Sequence, residues 1–99
     1  MSLRDPVYPA YVASYDPKLR VFVNQETYFF SSNDTKKRFL SDPVRYSGPL
    51  TDPVTQKRFR PTPRSPRAKY QDRLFYFESP VTQRQFAAAP KDFARRREN

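Results

Sequence analysis

The chain has 99 residues, a net charge of +9, eleven Pro, one Gly, and neither Cys nor His. These absences exclude disulfides, thiol nucleophiles, the common zinc ligands and the usual general base near neutral pH, and one Gly excludes a glycine-rich phosphate loop. Because no apolar run is long enough for a membrane span and no signal peptide is visible, we expect an intracellular, non-enzymatic binding protein without a cofactor.

Positive charge is concentrated in the second half of the chain. Residues 1–49 contain seven Lys and Arg and five acids, whereas residues 50–99 contain twelve and five. A basic surface favours an acidic partner, which can be a nucleic acid, an anionic membrane or an acidic protein surface such as that of tubulin. The asymmetry therefore predicts that the second half makes the main contact with a partner.

The two halves of the sequence align without a gap when one is shifted by 47 residues. The aligned residues are aromatic, Pro and helix-capping residues, which govern backbone conformation and core packing. They are Asp5-Pro6-Val7 with Asp52-Pro53-Val54, Tyr28-Phe29-Phe30 with Phe75-Tyr76-Phe77, Ser32 with Ser79, Phe39 with Phe86, Pro43 with Pro90, and Tyr46 with Phe93. This alignment predicts an internal repeat of one small unit.

The first repeat begins with an extended Asp-Pro-Val segment, because Pro restricts φ at its own position and at the residue before it. A β-hairpin is predicted next, with strands at residues 20–23 and 27–30 around a polar turn. A helix is predicted at residues 35–40, after a cap at Ser32 and before a stop at Asp42-Pro43.

The second repeat has the same order of elements. The predicted elements are strands at residues 68–70 and 74–77 and a helix at residues 82–88. Ser79 can cap this helix, Pro80 stands at its first position, where Pro is tolerated, and Ala89-Pro90 stops it.

The sequence therefore predicts an α+β fold of two repeats, residues 1–47 and 48–99, each a β-hairpin followed by a short α-helix. Extended Pro-rich arms connect these elements. Aromatic side chains bury a large area per residue, so they supply the predicted cores. The predicted core residues are Val7, Phe22, Tyr28, Phe30, Phe39 and Tyr46 in the first repeat, and Val54, Phe75, Phe77, Phe86 and Phe93 in the second.

These motifs resemble the YHS domain, a small treble-clef-like metal module. The family opens on Asp-Pro-Val-Cys, continues with Tyr-Phe-Cys-Ser-x-x-Cys at the strand-to-helix junction, and ends with Phe and Asp-Pro-x-x-Tyr. The resemblance extends over nearly the whole chain and occurs twice. It implies a treble-clef-like fold for each repeat.

The resemblance does not extend to the metal ligands. The positions of the family's cysteines are occupied here by Tyr8, Ser31 and Thr35, and by Thr55, Glu78 and Thr82. None of these residues offers a thiolate, and a structural zinc site needs about four Cys or His ligands. We therefore expect a degenerate, metal-free tandem of the domain.

Residues 56–69 form the strongest candidate contact segment, which combines six basic residues with Pro61, Pro63 and Pro66 and contains no acid. Stiff Pro-rich backbone lowers the entropy cost of ordering such a segment on a partner. We name its basic residues the basic arm: Lys57, Arg58, Arg60, Arg64, Arg67 and Lys69. The alternative is a solvated loop, and Ser65-Pro66 is a candidate phosphorylation site within it.

Two further groups are candidate contacts. Arg95, Arg96 and Arg97 form a basic tail, which either contacts the partner or is simply solvated. Tyr8, Tyr11 and Tyr15 exceed what the first repeat can bury, so they either anchor the N-terminal segment in partner pockets or pack on the other repeat.

Two functions fit these features. The first is a structural protein that binds an acidic surface within a large assembly, for which we favour the microtubule lattice of the ciliary or flagellar axoneme. The second is a nucleic-acid-binding protein such as a ribosomal component, because basic charge with interleaved aromatics permits phosphate contact and base stacking. No RRM, KH or zinc-knuckle signature supports this second function, and we expect no membrane partner.

Overall fold

The computed structural model describes residues 3–94, which fold into short strands and short helices as the sequence predicts. The chain divides into two compact units, and neither is continuous in sequence. Unit 1 consists of Met1–Val21 and Thr27–Ser47, and unit 2 consists of Phe22–Glu26 and Gly48–Asn99. Within residues 3–94, no helix combines the length and the apolar character needed to cross a membrane.

Four elements of the first half follow a single 3₁₀ turn at Pro17–Leu19. They are strand β1 (Arg20–Val23), strand β2 (Glu26–Phe29), helix α1 (Asn33–Ser41) and helix α2 (Pro43–Ser47). The predicted cap is confirmed, because the Ser32 hydroxyl accepts a hydrogen bond from the Thr35 backbone N–H at 3.3 Å. The predicted stop is also confirmed: α1 ends at Ser41, and the N–H of its C-cap, Asp42, donates to the Phe39 carbonyl.

The core of unit 1 is built around the ring of Phe39. Phe30 and Phe39 are fully buried, with their ring centroids 5.1 Å apart. The ring centroid of Phe39 lies 5.1 Å from that of Tyr28 and 6.3 Å from that of Tyr46, and both tyrosines are half-buried. Val7 is also half-buried, so the predicted aromatic core of this unit is confirmed with Val7 at its margin.

The second half contributes six further elements. They are strands β3 (Leu50–Thr51), β4 (Arg58–Phe59), β5 (Arg67–Tyr70) and β6 (Arg73–Tyr76), and helices α3 (Pro80–Ala88) and α4 (Pro90–Phe93). The Ser79 hydroxyl caps α3 by accepting from the Thr82 N–H at 3.3 Å, and Pro80 is the first helical residue, as predicted.

Strand pairing in unit 2 combines two local pairs with one between segments that are distant in sequence. β3 and β4 pair antiparallel, and β5 and β6 form an antiparallel hairpin. β1 pairs with β6 in parallel through Val23 and Leu74, both of which belong to unit 2. The sheet has the order β2-β1-β6-β5, so β5 is an edge strand.

The core of unit 2 is again centred on one ring. Phe75, Phe77 and Phe86 are buried, and the Phe86 centroid lies 4.8 Å from Phe75 and 5.2 Å from Phe77. Ala94 completes the buried cluster, and partly buried side chains pack against it. These side chains are Val54, Ala68, Tyr70 and Phe93. The core predicted for the second repeat is confirmed, whereas Phe22, assigned to the first core, is half-buried and belongs to unit 2.

The Pro-rich segment is folded rather than extended, which corrects the expectation of an arm. It contains β4, a turn at residues 62–65 and the start of β5. Pro63 sets φ for the second turn position, and the Ser65 N–H donates to the Thr62 carbonyl at 2.9 Å. The Ser65 hydroxyl accepts from the Thr62 N–H at 2.9 Å, and Pro61 is buried, so the segment is held against unit 2.

Candidate interaction surfaces

A buried carboxylate organises the loop that opens unit 1. Asp5 is fully buried, and its Oδ1 accepts hydrogen bonds from the backbone N–H groups of Val7 at 2.8 Å and Tyr8 at 3.2 Å. Its Oδ2 accepts from the Ser31 N–H and the Ser31 hydroxyl at 2.8 Å each, and from the Thr35 hydroxyl at 2.6 Å. The carboxylate therefore ties the opening loop to the junction between β2 and α1.

These hydrogen bonds control the ionisation of Asp5. Burial by itself raises the pKa of this carboxyl, but the hydrogen bonds from Ser31, Thr35 and Val7 outweigh burial and lower the pKa from 3.8 to about 2. The donors stabilise the charged form, because each points an N–H or O–H at the carboxylate oxygens. Asp5 is therefore ionised at neutral pH although it is buried.

Asp52 occupies a corresponding environment in unit 2. It is fully buried, and its Oδ1 accepts from the N–H groups of Val54 at 2.8 Å and Thr55 at 3.3 Å. Its Oδ2 accepts from the Glu78 N–H at 3.0 Å and the Thr82 hydroxyl at 2.8 Å. This carboxylate ties the loop after β3 to the junction between β6 and α3.

The positions that the YHS resemblance assigns to cysteines surround these two carboxylates. In unit 1 these are Tyr8, Ser31 and Thr35, which donate to Asp5 through backbone or hydroxyl groups. Backbone N–H groups have no lone pair to offer, and neutral hydroxyls are poor zinc ligands beside Cys thiolates and His nitrogens, so these residues do not fit a structural zinc site. Because both oxygens are shielded and saturated with donors, Asp5 and Asp52 stabilise the fold and are not placed to act as bases.

All six residues of the basic arm are exposed, and all belong to unit 2. Arg58 forms an ion pair with Glu26, with its Nη1 at 2.7 Å from Oε1. No acidic side chain lies within 4.0 Å of the other five arm residues in the part of the chain that the structure describes. The arm therefore presents at least five cations to solvent without internal compensation.

Strand geometry places two residues of the basic arm, Arg67 and Lys69, on the same face of β5. Arg67 and Lys69 are exposed on β5 and alternate with half-buried Ala68 and Tyr70. Residues two apart along a strand lie on one face, about 6.8 Å from each other. The Arg67 guanidinium also lies 5.7 Å from the centroid of the Tyr76 ring, which orients this side chain. β5 therefore carries two cations at regular spacing.

The three predicted aromatic anchors are exposed and lie in unit 1. The exposed fractions are 41% for Tyr8, 57% for Tyr11 and 66% for Tyr15. Tyr8 and Tyr11 have ring centroids 5.7 Å apart, and the Tyr8 hydroxyl accepts a hydrogen bond from Arg38 at 2.8 Å. The ring centroids of Tyr15 and Phe29 are 5.2 Å apart. The exposed aromatic rings therefore lie in unit 1, whereas all six cations of the basic arm lie in unit 2.

Three buried polar residues were not identified from the sequence. Sequence reasoning missed the role of Asp5 and Asp52, although their recurrence at the opening of each half was a usable signal. It also missed Asn24, whose fully buried side chain forms hydrogen bonds with the backbone of Tyr76 and Thr51. The predicted basic tail, Arg95, Arg96 and Arg97, lies outside the described residues.

Comparison of the chain with protein-family models, with curated proteins and with solved structures found no match. The resemblance to the YHS domain therefore stays a prediction that rests on the motifs of the two halves.

Proposed function

We propose that the chain is a non-enzymatic binding protein that docks the basic arm of unit 2 on the acidic surface of a protein partner. The observation that carries this proposal is the exposure of all six arm residues, of which Arg58 alone lies within 4.0 Å of an acidic side chain in residues 3–94. Uncompensated cations at a surface attract an acidic partner and accelerate its association.

The distribution of aromatic side chains favours an acidic protein over a nucleic acid. Binding of single strands combines cations with exposed rings on which bases stack. The large exposed aromatic residues within 3–94 are Tyr8, Tyr11 and Tyr15, and all three belong to unit 1. On β5 the aromatic neighbour of the arm, Tyr70, is half-buried against the core. Nucleic-acid binding is the second candidate, favoured by the exposed ring of Tyr8 beside Arg38.

We propose that the framework carrying these surfaces is a degenerate tandem of YHS-like repeats. In support, β5, β6 and α3 each begin and end 47 residues after β1, β2 and α1. The hydrogen bonds of Asp52 to residues 54, 55, 78 and 82 likewise follow those of Asp5 to residues 7, 8, 31 and 35 at the same offset.

As the partner we propose the acidic tubulin lattice of the ciliary or flagellar axoneme. The net charge of +9 on 99 residues, the small cores and the exposed arm support a chain that is held within a large assembly. Cores of this size contribute only a few kcal/mol to stability, so contact with a partner would stabilise the fold further.

Co-sedimentation with microtubules across a salt series tests the proposed function. The arm variant replaces Arg60, Arg64, Arg67 and Lys69 with Ala. The control variant replaces Lys18, Lys37, Arg84 and Lys91, which are also exposed, and so removes the same charge elsewhere. We expect the arm variant to bind at least about tenfold more weakly and the control to stay within about threefold of the wild type.

Two results would contradict the proposed function. Equal weakening in both variants would mean that net charge, and not the basic arm, governs binding. Binding to RNA with a steep salt dependence, together with no pelleting on microtubules, would assign the chain to nucleic acid instead.

A further inference from the structure

The outer edge of β5 presents backbone groups that the sheet does not use. β5 pairs with β6 alone, with Ala68 opposite Phe75 and Tyr70 opposite Arg73. The Phe77 N–H donates to the Pro66 carbonyl at 2.9 Å, which identifies the residues of β5 that bond to β6. In an antiparallel ladder, alternate residues bond to the neighbouring strand. Residues 66, 68 and 70 therefore face β6, and the backbone groups of residues 67 and 69 face away from it.

A side-chain contact confirms this direction. The Gln83 side-chain amide donates to the Arg67 carbonyl at 2.9 Å, on the side of β5 away from β6. The Arg67 N–H and the N–H and carbonyl of Lys69 have no hydrogen-bond partner within residues 3–94. These three groups form an open edge that can pair with one more strand.

We propose that this edge binds an extended peptide in which acidic and small apolar residues alternate, by adding it to the sheet as a further strand. The inference rests on the proposed function, because it specifies the acidic partner as an extended segment. In an antiparallel addition, the peptide residue opposite Lys69 exchanges two backbone hydrogen bonds with it, and the residue opposite Arg67 accepts one from the Arg67 N–H, because Gln83 bonds to the Arg67 carbonyl. The side chains of both peptide residues lie within about 5 Å, at Cβ, of those two cations, so acidic residues belong at these positions.

The residue between the two acids faces the other side of the sheet. That side carries Ala68 and Tyr70, which pack against the apolar core of unit 2. A small apolar side chain suits this position, which sets the ligand pattern as acidic, apolar, acidic. A second copy of β5 would instead place Arg67 and Lys69 against like charges, which is unfavourable. The edge is therefore expected to bind an acidic peptide strand more tightly than a second copy of β5.

Peptide binding to the full-length protein, measured by fluorescence anisotropy, tests the proposal. One peptide alternates Glu and Val over five residues, starting with Glu, and the other has the same composition with three Glu followed by two Val. We expect the alternating peptide to bind at least about tenfold more tightly, because it alone aligns two carboxylates with the cations while pairing with the edge.

Backbone methylation of the peptide separates strand addition from charge attraction. Methyl groups on the Glu nitrogens remove the N–H groups that face β5, whereas methyl groups on the Val nitrogens alter only those that point away. We expect about a tenfold loss from the first change and a much smaller loss from the second, since one hydrogen bond is worth about that factor. Equal losses would overturn strand addition.

A matched pair of protein variants gives an independent readout. Lys69→Ala removes the charge, whereas Lys69→Pro also removes the outward N–H, which β6 does not use. We expect Lys69→Pro to bind the alternating peptide more weakly than Lys69→Ala, with both variants showing cooperative thermal unfolding. Equal binding of the alternating and block peptides would overturn strand addition while leaving the proposed function intact. If neither peptide binds while a short RNA does, the proposed function fails as well.

Discussion

At the scale of single residues, Asp5 shows how a buried charge can stabilise a small fold without a cationic partner among residues 3–94. A buried carboxylate is costly unless hydrogen bonds replace its hydration. Asp5 accepts from two backbone N–H groups of its own loop, and from Ser31 and Thr35 at the start of α1. The charge is satisfied by donors from two segments, so it holds those segments together.

Asp5→Asn should lower the free energy of unfolding by about 2–4 kcal/mol at neutral pH, because an amide has one acceptor oxygen and directs an N–H group at the donors of Ser31 and Thr35. Urea denaturation measures this change. Asp16→Asn is the control, since Asp16 is exposed and accepts from the Lys18 N–H, a capping bond that Asn also makes. A loss no larger in Asp5→Asn than in the control would refute the role of Asp5.

The pH dependence of stability should carry the signature of Asp5. Its pKa is 3.8 ordinarily and about 2 in the folded chain, so the folded state favours the charged form. The stabilisation is fully present above the ordinary value and is lost as the pH falls through about 2. Urea midpoints measured from neutral pH down to that value should show the gap between wild type and Asp5→Asn closing. A gap independent of pH would contradict this assignment.

At the scale of elements, the two hairpin turns differ in what their first residue does. Asn24 and Gln71 both have positive φ, at 53° and 50°. Gln71 is exposed, whereas Asn24 is fully buried, and its side-chain amide forms hydrogen bonds with the backbone of neighbouring strands. Its Oδ1 accepts from the Tyr76 N–H at 2.8 Å, and its Nδ2 donates to the carbonyls of Tyr76 at 3.0 Å and Thr51 at 2.7 Å.

Asn24→Ala should therefore destabilise the protein by about 2–4 kcal/mol more than Gln71→Ala. Both variants place Ala at a left-handed position, where Asn is favoured over Gln, so a small part of the difference is backbone preference and the larger part reports the buried hydrogen bonds of Asn24. Chemical denaturation of both variants measures the difference. Equal destabilisation would mean that Asn24 is needed for its φ angle alone.

At the scale of the whole molecule, the compact units do not follow the order of the sequence. Phe22–Glu26 lies in the first half of the chain but belongs to unit 2. There Val23 pairs with Leu74, and the Asn24 N–H donates to the Leu74 carbonyl at 2.8 Å. Unit 2 is thus incomplete without Phe22–Glu26, a segment that lies in the sequence between the two parts of unit 1.

A fragment of residues 48–99 should consequently show no cooperative thermal unfolding by circular dichroism, because it lacks the segment that pairs with β6. A peptide of residues 20–29, added in excess, should restore a transition by binding the folded fragment. The same peptide with Asn24→Ala serves as the control and should restore much less. A fragment that unfolds cooperatively without any peptide would show that unit 2 is complete from Gly48 onwards.

Local sequence was enough to predict the elements that depend on neighbouring residues. The hairpins, the caps at Ser32 and Ser79 and the stops before Pro43 and Pro90 were predicted to within three residues of their observed bounds. Capping and turn formation act over a few residues, so their signals are readable in the chain itself. The buried rings of Phe39 and Phe86 were predicted because aromatic side chains at these spacings have few other ways to leave water.

Only the tertiary structure decided which distant segments meet. The exchange of Phe22–Glu26 into unit 2, the pairing of β3 with β4 and the folding of the Pro-rich segment were not predicted. The same holds for Asp5, whose partners at the start of α1 lie 26 and 30 residues away. Such contacts depend on strand register and on the donors that reach a buried acceptor, which are properties of the assembled chain rather than of any local pattern.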